Sequence, residues 1–230
     1  MFILSLQKYA FIFIRQNIFH RCKYFIVPAH TGAILFCEKN VYLQTMKKLI
    51  IGIVRLRGWK YDIPQPGSRP EIERCVMITA PHTAISDFFL GASCLWEMGL
   101  NYRVFIKQDY FKYPVLGWLL RRAGAIPVDR GNRHNGLVAQ AVAAFKNNDR
   151  FVMVITPEGT RKATKHWKRG FYEIATAAQV PIVLTYIDYG KKQMGVGPRF
   201  DPTGDYEADL KQIKEYYRNV KARHPENFVI

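Results

Sequence analysis

The chain is 230 residues long, enough to bury a sizeable core in one domain, and it has no repeat and no low-complexity tract. Lys plus Arg number 34 against 18 Asp plus Glu, a formal charge of +16 with a pI near 9.8, which favours anionic partners. Basic heptads, zinc-ligand spacings and aromatic RNP strings are missing, so nucleic acid is not an expected partner; Cys22, Cys37, Cys75 and Cys94 form no C-x-x-C pair, which argues against structural metal and disulfides.

Residues 1–45 are rich in Phe, Ile and Tyr, but Lys8, Arg15, Arg21 and Lys23 interrupt every apolar stretch before the roughly 18 to 20 residues needed to cross a bilayer. Two readings stay open: an interfacial anchor with aromatics in lipid and basic residues among headgroups, or upstream sequence before a start at Met46-Lys-Lys-Leu-Ile-Ile. The main domain is expected over 46–230.

From Met46 strand-like and helix-like stretches alternate, the pattern of a mostly parallel sheet with crossover helices. An edge strand is expected over Leu56–Tyr61, then a loop through Ile63-Pro-Gln-Pro-Gly-Ser-Arg-Pro70. Strand 76–80 leads into a helix near 85–99, and strand 103–107 into a helical stretch with Pro114. Strand 125–128 and a helix over 134–147, apolar at Leu137, Val138, Ala141, Val142 and Phe145, come next. Strand 151–155, a helix near 168–178, strand 182–187, a glycine-punctuated strand around 193–200 and a charged helix over 205–222 complete the α/β, single-domain expectation. Cys75 and Cys94 lie in or beside apolar runs and are expected as small buried hydrophobes. Reduced thiols fit a cytoplasmic face.

Two short motifs follow strand-like runs. His82-Thr-Ala-Ile-Ser-Asp87 comes after Val76–Ala80, and Thr156-Pro-Glu-Gly-Thr-Arg161 after Phe151–Ile155. If these strands are parallel, both motifs leave the sheet at the carboxyl edge, where open α/β sheets place ligands. An interval of five lets His82 occupy the turn and Asp87 the first helical turn, where the carboxylate is favoured by the dipole and can hold the imidazole as a general base. The plain alternative is a turn histidine beside an N-terminal helix carboxylate. The second motif offers a glycine for close backbone approach, the Thr160 hydroxyl and the Arg161 guanidinium for a phosphate, with Glu158 able to hold the arginine; the plain alternative is a capping turn with a surface ion pair. No G-x-S-x-G elbow is present, so a substrate hydroxyl attacking directly is more economical than an acyl-enzyme.

The two motifs together resemble the glycerolipid acyltransferase family typified by bacterial 1-acylglycerol-3-phosphate acyltransferases. Gly124-Ala-Ile-Pro-Val-Asp-Arg130-Gly-Asn is similar to that family's second block, Lys107 and Tyr113-Pro-Val-Leu-Gly-Trp118 to the approach to it, and Lys168-Arg-Gly-Phe171 and Val180-Pro-Ile-Val183 to the helix and fourth block beyond the third. The likeness covers roughly 72–200. Thr156, Lys162 and Leu184 depart from the commoner phenylalanine, serine and proline, changes of shape that bear on the acceptor more than on acyl transfer.

The resemblance implies that His82 acts as base oriented by Asp87, and that Lys107, Arg130, Glu158, Gly159, Thr160 and Arg161 bind the acceptor headgroup. It implies an acyl donor on coenzyme A or acyl carrier protein as co-substrate and a lysolipid acceptor; no metal or other cofactor is expected, because the base and the cationic residues already supply the chemistry, and the basic surface suits an anionic membrane to which the protein is peripheral. Lysophosphatidic acid is the first acceptor, a lyso-aminolipid or other lysolipid the alternative. From another class, a silent basic module that binds anionic lipid stands as rival, and a hydrolase using the same base as a third option. Trp118, Leu119 and Leu120 beside Arg121 and Arg122 form either an amphipathic interfacial patch or core packing; Phe88, Phe89 and Leu90 are expected in the core rather than along an acyl tunnel.

Overall fold

The computed structural model describes residues 34–128 and 136–230, with side chains described from Leu43 onward. The compact unit is Leu43–Ile230. Seven strands form one sheet: β1 (Lys60–Asp62), β2 (Arg74–Ala80), β3 (Tyr102–Lys107), β4 (Ala125–Val128), β5 (Phe151–Ile155), β6 (Ile182–Asp188) and β7 (Gln193–Phe200). Their order is β1-β7-β6-β2-β5-β3-β4, every pairing parallel except β6 with β7. The mostly parallel α/β expectation therefore holds.

Helix α1 (Ile34–Leu56) runs across the 45/46 boundary and occupies the start of the segment expected as an edge strand. Gly58, at φ +81°, stops it: the Gly58 N–H donates to Arg55 O and the Trp59 N–H to Val54 O, a left-handed glycine cap. The edge strand begins later, at Lys60, and pairs with β7. At the pairing of Tyr61 and Asp62 with Met194 and Gly195, a Cβ on Gly195 would strike the Asp62 carbonyl, so a glycine is required there.

Helices α2 (Ser86–Glu97), α3 (Pro114–Arg122), α4 (Leu137–Lys146), α5 (Gly170–Ala178) and α6 (Tyr206–Tyr217) connect and close the sheet. The alternation of side chains along β2 and β5 sorts the core into two layers. Val76, Ile78, Ala80, Phe151 and Met153 point to the layer under α4, α5 and α6, with Phe145, Phe171 and Tyr217. Cys75, Met77, Val152 and Val154 point to the layer holding Leu95 of α2 and Tyr102. Val76, Met77 and Ile78 are at most 1% exposed, each removal from water being worth about 1.5–3 kcal/mol. Steps from β2 to β3 and from β3 to β4 go the same way across the sheet, so right-handed crossovers set α2 and α3 on one face; the return steps set α4 and α5 on the other. Cys75 and Cys94 are buried free thiols. No helix among the described residues is long and apolar enough to cross a membrane.

Candidate active site

Strand β2 is flanked by β5 and β6, both parallel to it, so all three deliver their following loops to one edge. Ile155, the end of β5, is level with Ile78, and Ala80 with Tyr186 of β6. Three segments far apart in sequence thus converge: the turn from Pro81 to Ile85, the loop from Thr156 to Arg161, and Tyr189 after β6.

Asp87, 4% exposed, lies in the first turn of α2 and folds back on the turn before it. Its Oδ2 accepts the Thr83 and Ala84 N–H groups, both at 2.8 Å, and lies 3.3 Å from His82 Nδ1. Its Oδ1 accepts the Tyr189 hydroxyl at 2.6 Å, and that hydroxyl also meets Ser86 Oγ at 2.8 Å. Burial alone would raise the Asp87 carboxyl, but the His82 imidazole, the Tyr189 hydroxyl and the Ala84 amide outweigh it and hold the group below its ordinary value. The carboxylate is therefore ionised at neutral pH and fixed on both oxygens. A proton kept on Nδ1 by this carboxylate leaves Nε2 of His82 as the acceptor nitrogen, the arrangement a general base requires. The imidazole is partly open to solvent, at 21%.

The second motif reaches the first through Glu158. Its Oε1 accepts the His82 backbone N–H at 2.9 Å, while its Oε2 is buried and has no partner among the described residues. Burial, with the neighbouring Asp87 charge adding to it, raises this carboxyl to about 7 even though the backbone donors oppose the shift. Glu158 therefore supports the backbone that carries His82; the ion pair expected between it and Arg161 is not among those seen. Gly159 sits at φ +65°, and a Cβ there would lie 3.1 Å from Lys168 Cγ, so the glycine is demanded by both backbone and space. The Lys168 N–H donates to Pro157 O at 2.7 Å and closes the loop. Thr160 Oγ1 accepts the Lys162 N–H, and Arg161 Nη2 donates to the Tyr110 hydroxyl at 3.3 Å.

Lys107 ends β3 at the same edge, two strands from β2, where it and Lys112 flank Asp109 and push that carboxyl down to about 2. Arg130 follows β4 and lies outside the described residues. The sequence reading missed Tyr189, and with it the C-terminal segment that holds Tyr189 in place. Trp59 packs edge-on to the Tyr189 ring, the Arg223 guanidinium lies 5.9 Å from its centroid, the Tyr189 N–H donates to Lys221 O, and the His224 N–H donates to Thr83 Oγ1. No local motif marks Tyr189; the signal is topological, because β6 beside β2 must end where His82 begins. Of the apolar trio, Leu90 is buried, whereas Phe89 is 48% exposed. Among the described residues no group of three or more His, Cys, Asp or Glu side chains is arranged to hold a metal ion.

The site, a histidine backed by a buried carboxylate at the carboxyl edge of a parallel sheet, fits the class of enzymes that deprotonate a hydroxyl. The Acyltransferase family matches residues 62–187, more than half of the chain, and this protein belongs to that family of glycerolipid acyltransferases. A 1-acyl-sn-glycerol-3-phosphate acyltransferase of Limnanthes alba is 28% identical over 155 residues, 63% of this chain and 50% of the relative. A chloroplastic enzyme of the same description from Brassica napus is 24% identical over 180 residues, 72% of this chain and 48% of the relative. The chain spans about half the length of the curated relatives it matches. The crystal structure of the 1-acyl-sn-glycerophosphate acyltransferase from Thermotoga maritima superposes with a TM-score of 0.53 at 16% identity, covering 95% of this chain and 91% of that one, and shows the shared fold.

Proposed function

We propose that the protein is an O-acyltransferase that moves a fatty acyl group from a thioester, on coenzyme A or acyl carrier protein, to the free hydroxyl of 1-acylglycerol-3-phosphate, giving phosphatidic acid. The observation that carries this is the constrained pair: His82 Nδ1 against a buried, ionised Asp87, with the His82 backbone fixed by Glu158. In the reaction, Nε2 of His82 takes the acceptor's hydroxyl proton as the oxygen attacks the thioester carbonyl carbon. The carbon–sulfur bond then breaks, and the proton on the imidazolium passes to the departing thiolate, so the base is restored without a covalent enzyme intermediate. Asp87 stabilises the imidazolium during the transfer.

Arg161, with Gly159 and Thr160 beside it, Lys107 from the end of β3, and Arg130 by the family resemblance of its sequence block, supply the cationic groups for the acceptor phosphate. The relatives' descriptions support this acceptor. The protein works at a membrane surface, a reading supported by the net charge and by α3, where Trp118 and Leu119 are 54% and 41% exposed beside Arg121 and Arg122.

The test is mass-spectrometric product analysis after supplying an acyl thioester with 1-acylglycerol-3-phosphate and a lyso-aminolipid in competition. Phosphatidic acid is the expected product. An acylated aminolipid would retain the base and change the acceptor, free fatty acid alone would indicate a hydrolase, and no product despite tight vesicle binding would favour a silent lipid-binding module.

A further inference from the structure

Away from the candidate active site, at the amino-terminal ends of β3 and β4, a groove of about 320 Å³ opens between three helices. Its wall carries Lys47 of α1, Trp96 of α2, Arg103 of β3, and Arg121 and Arg122 of α3, and no carboxylate. None of these four cations is in an ion pair with a described carboxylate; Glu97, next to Trp96, is taken by Arg55 at 2.6 Å. Lys47 lies over the Trp96 ring within the groove, Arg122 and Arg121 lie over Trp118 and Phe111 at its edge, and among the described residues Arg103 donates only to the neutral Asn101 side chain and the Tyr102 carbonyl. Tyr102, which also lines the groove, is 5% exposed, and its buried hydroxyl finds no acceptor among the described residues. Four cations gathered with no described carboxylate among them are complementary to an anion.

The surroundings of the groove indicate where that anion comes from. Apart from Ile230, every exposed large hydrophobic side chain among the described residues belongs to three neighbouring segments. Leu49, Ile53 and Leu56 are on α1, Ile85 and Phe89 at the start of α2, and Tyr110, Tyr113, Val115, Trp118 and Leu119 on α3 and the short turn of helix before it. These are the helices that meet at the groove, and α2 and α3 cover the same face of the sheet. An apolar surface with a cationic slot set in it matches the chemistry of a bilayer, whose anionic phosphates lie just above its acyl chains.

We infer that the groove formed by Lys47, Arg103, Arg121 and Arg122 is a binding site for the phosphate of an anionic phospholipid headgroup, and that the α1–α2–α3 face lies on the membrane. The site is separate from the acceptor phosphate site, because it is at the opposite ends of the parallel strands. It rests on the reading above that the protein works at a lipid surface. On this face Phe89 and Ile85 lead from the bilayer toward the His82 turn, while the groove holds the far end of the same face down.

The experiment is co-sedimentation of the full chain with vesicles of phosphatidylcholine alone, or of phosphatidylcholine containing phosphatidylglycerol. The charge-neutralising pair Arg121→Gln with Arg122→Gln is compared with Lys191→Gln plus Lys211→Gln, which removes the same charge from exposed positions elsewhere. Partition to the anionic vesicles is expected to weaken at least about tenfold in the arginine pair and less than about threefold in the lysine pair. Lys47→Gln, from a different helix, is the independent variant and is expected to weaken partition in the same selective way. Equal weakening by both pairs, or none by the arginine pair and Lys47→Gln, would overturn the site in favour of diffuse charge. Acyl transfer to a short-chain, water-soluble lysophosphatidate, measured on the unmodified protein, reports separately on the enzymatic reading, so either can fail alone.

Discussion

The backbone N–H of His82 donates to the Glu158 carboxyl at 2.9 Å across an interval of 76 residues. This bond ties the two motif loops together, and it makes Glu158 a support for the His82 backbone as well as a neighbour of the proposed phosphate site. Because the Glu158 carboxyl is raised to about 7, mainly by burial, the folded protein keeps its proton at pH values where the unfolded chain, near the ordinary 4.5, has lost it. Stability therefore falls as pH rises from the unfolded value through the folded one, and levels off above about 7. Glu158→Gln retains the acceptor for His82 and has nothing to titrate. The fall in melting temperature between pH 5 and pH 7 seen by calorimetry in the unmodified protein is expected to shrink by several degrees in this variant.

Tyr189→Phe removes the only described donor to Asp87 Oδ1 while leaving the ring packed against Trp59. A buried carboxylate that loses a charged hydrogen bond is expected to cost about 1–3 kcal/mol, read from urea melts. Asp87 is held below its ordinary value, so this contribution is present at neutral pH and lost as pH falls through the folded value. The difference between the two proteins is therefore expected to be larger at pH 7 than in acid. If Tyr189 also positions the base, the acidic limb of the rate profile shifts in the variant, which a purely structural role would not produce.

Gly159→Ala forces a side chain into a left-handed residue and against Lys168. The conformational cost is about 1–2 kcal/mol, and the loop is expected to move rather than absorb it. Acceptor affinity should fall with little change in thermal stability beyond that amount, a split visible by measuring KM and the melting temperature on the same preparation.

Arg161→Lys keeps the charge but gives up the planar fork that binds phosphate through two parallel bonds, and with it the contact to Tyr110. KM for the lysophosphatidate is expected to rise about tenfold or more, with kcat changed much less, in steady-state kinetics over a range of acceptor concentrations.

The order and kind of the elements were legible because short, near-continuous apolar runs, buried on both faces as central parallel strands are, alternate with stretches of 3.6-residue period after residue 70. β7 was read at its observed limits, and β2, β3 and β6 within a residue or two. The start of the domain was not: Leu56–Tyr61 has strand-like composition, yet Leu56 belongs to α1 and only Gly58 marks the change, which matters through its positive φ rather than through any hydrophobic pattern. The His82 and Asp87 pairing was legible because a turn and one helical turn fix it locally. The Tyr189 and Glu158 contacts were not, since they depend on β5 and β6 flanking β2, a pairing that no short stretch of sequence encodes. Glu158 was expected to hold Arg161 and instead holds the His82 backbone. In α3, Leu120 is buried while Trp118 and Leu119 face solvent, so the core reading of that trio holds for Leu120 alone.

The most direct test of the central claim is the acyl-transfer rate of His82→Ala with an acyl thioester and 1-acylglycerol-3-phosphate, measured beside vesicle binding of the same variant. The expected result is a loss of about 100-fold or more in rate with binding to anionic vesicles intact, since the variant removes the base and leaves the cationic surface. Transfer within a few-fold of the unmodified protein would contradict the assignment of His82 as the base.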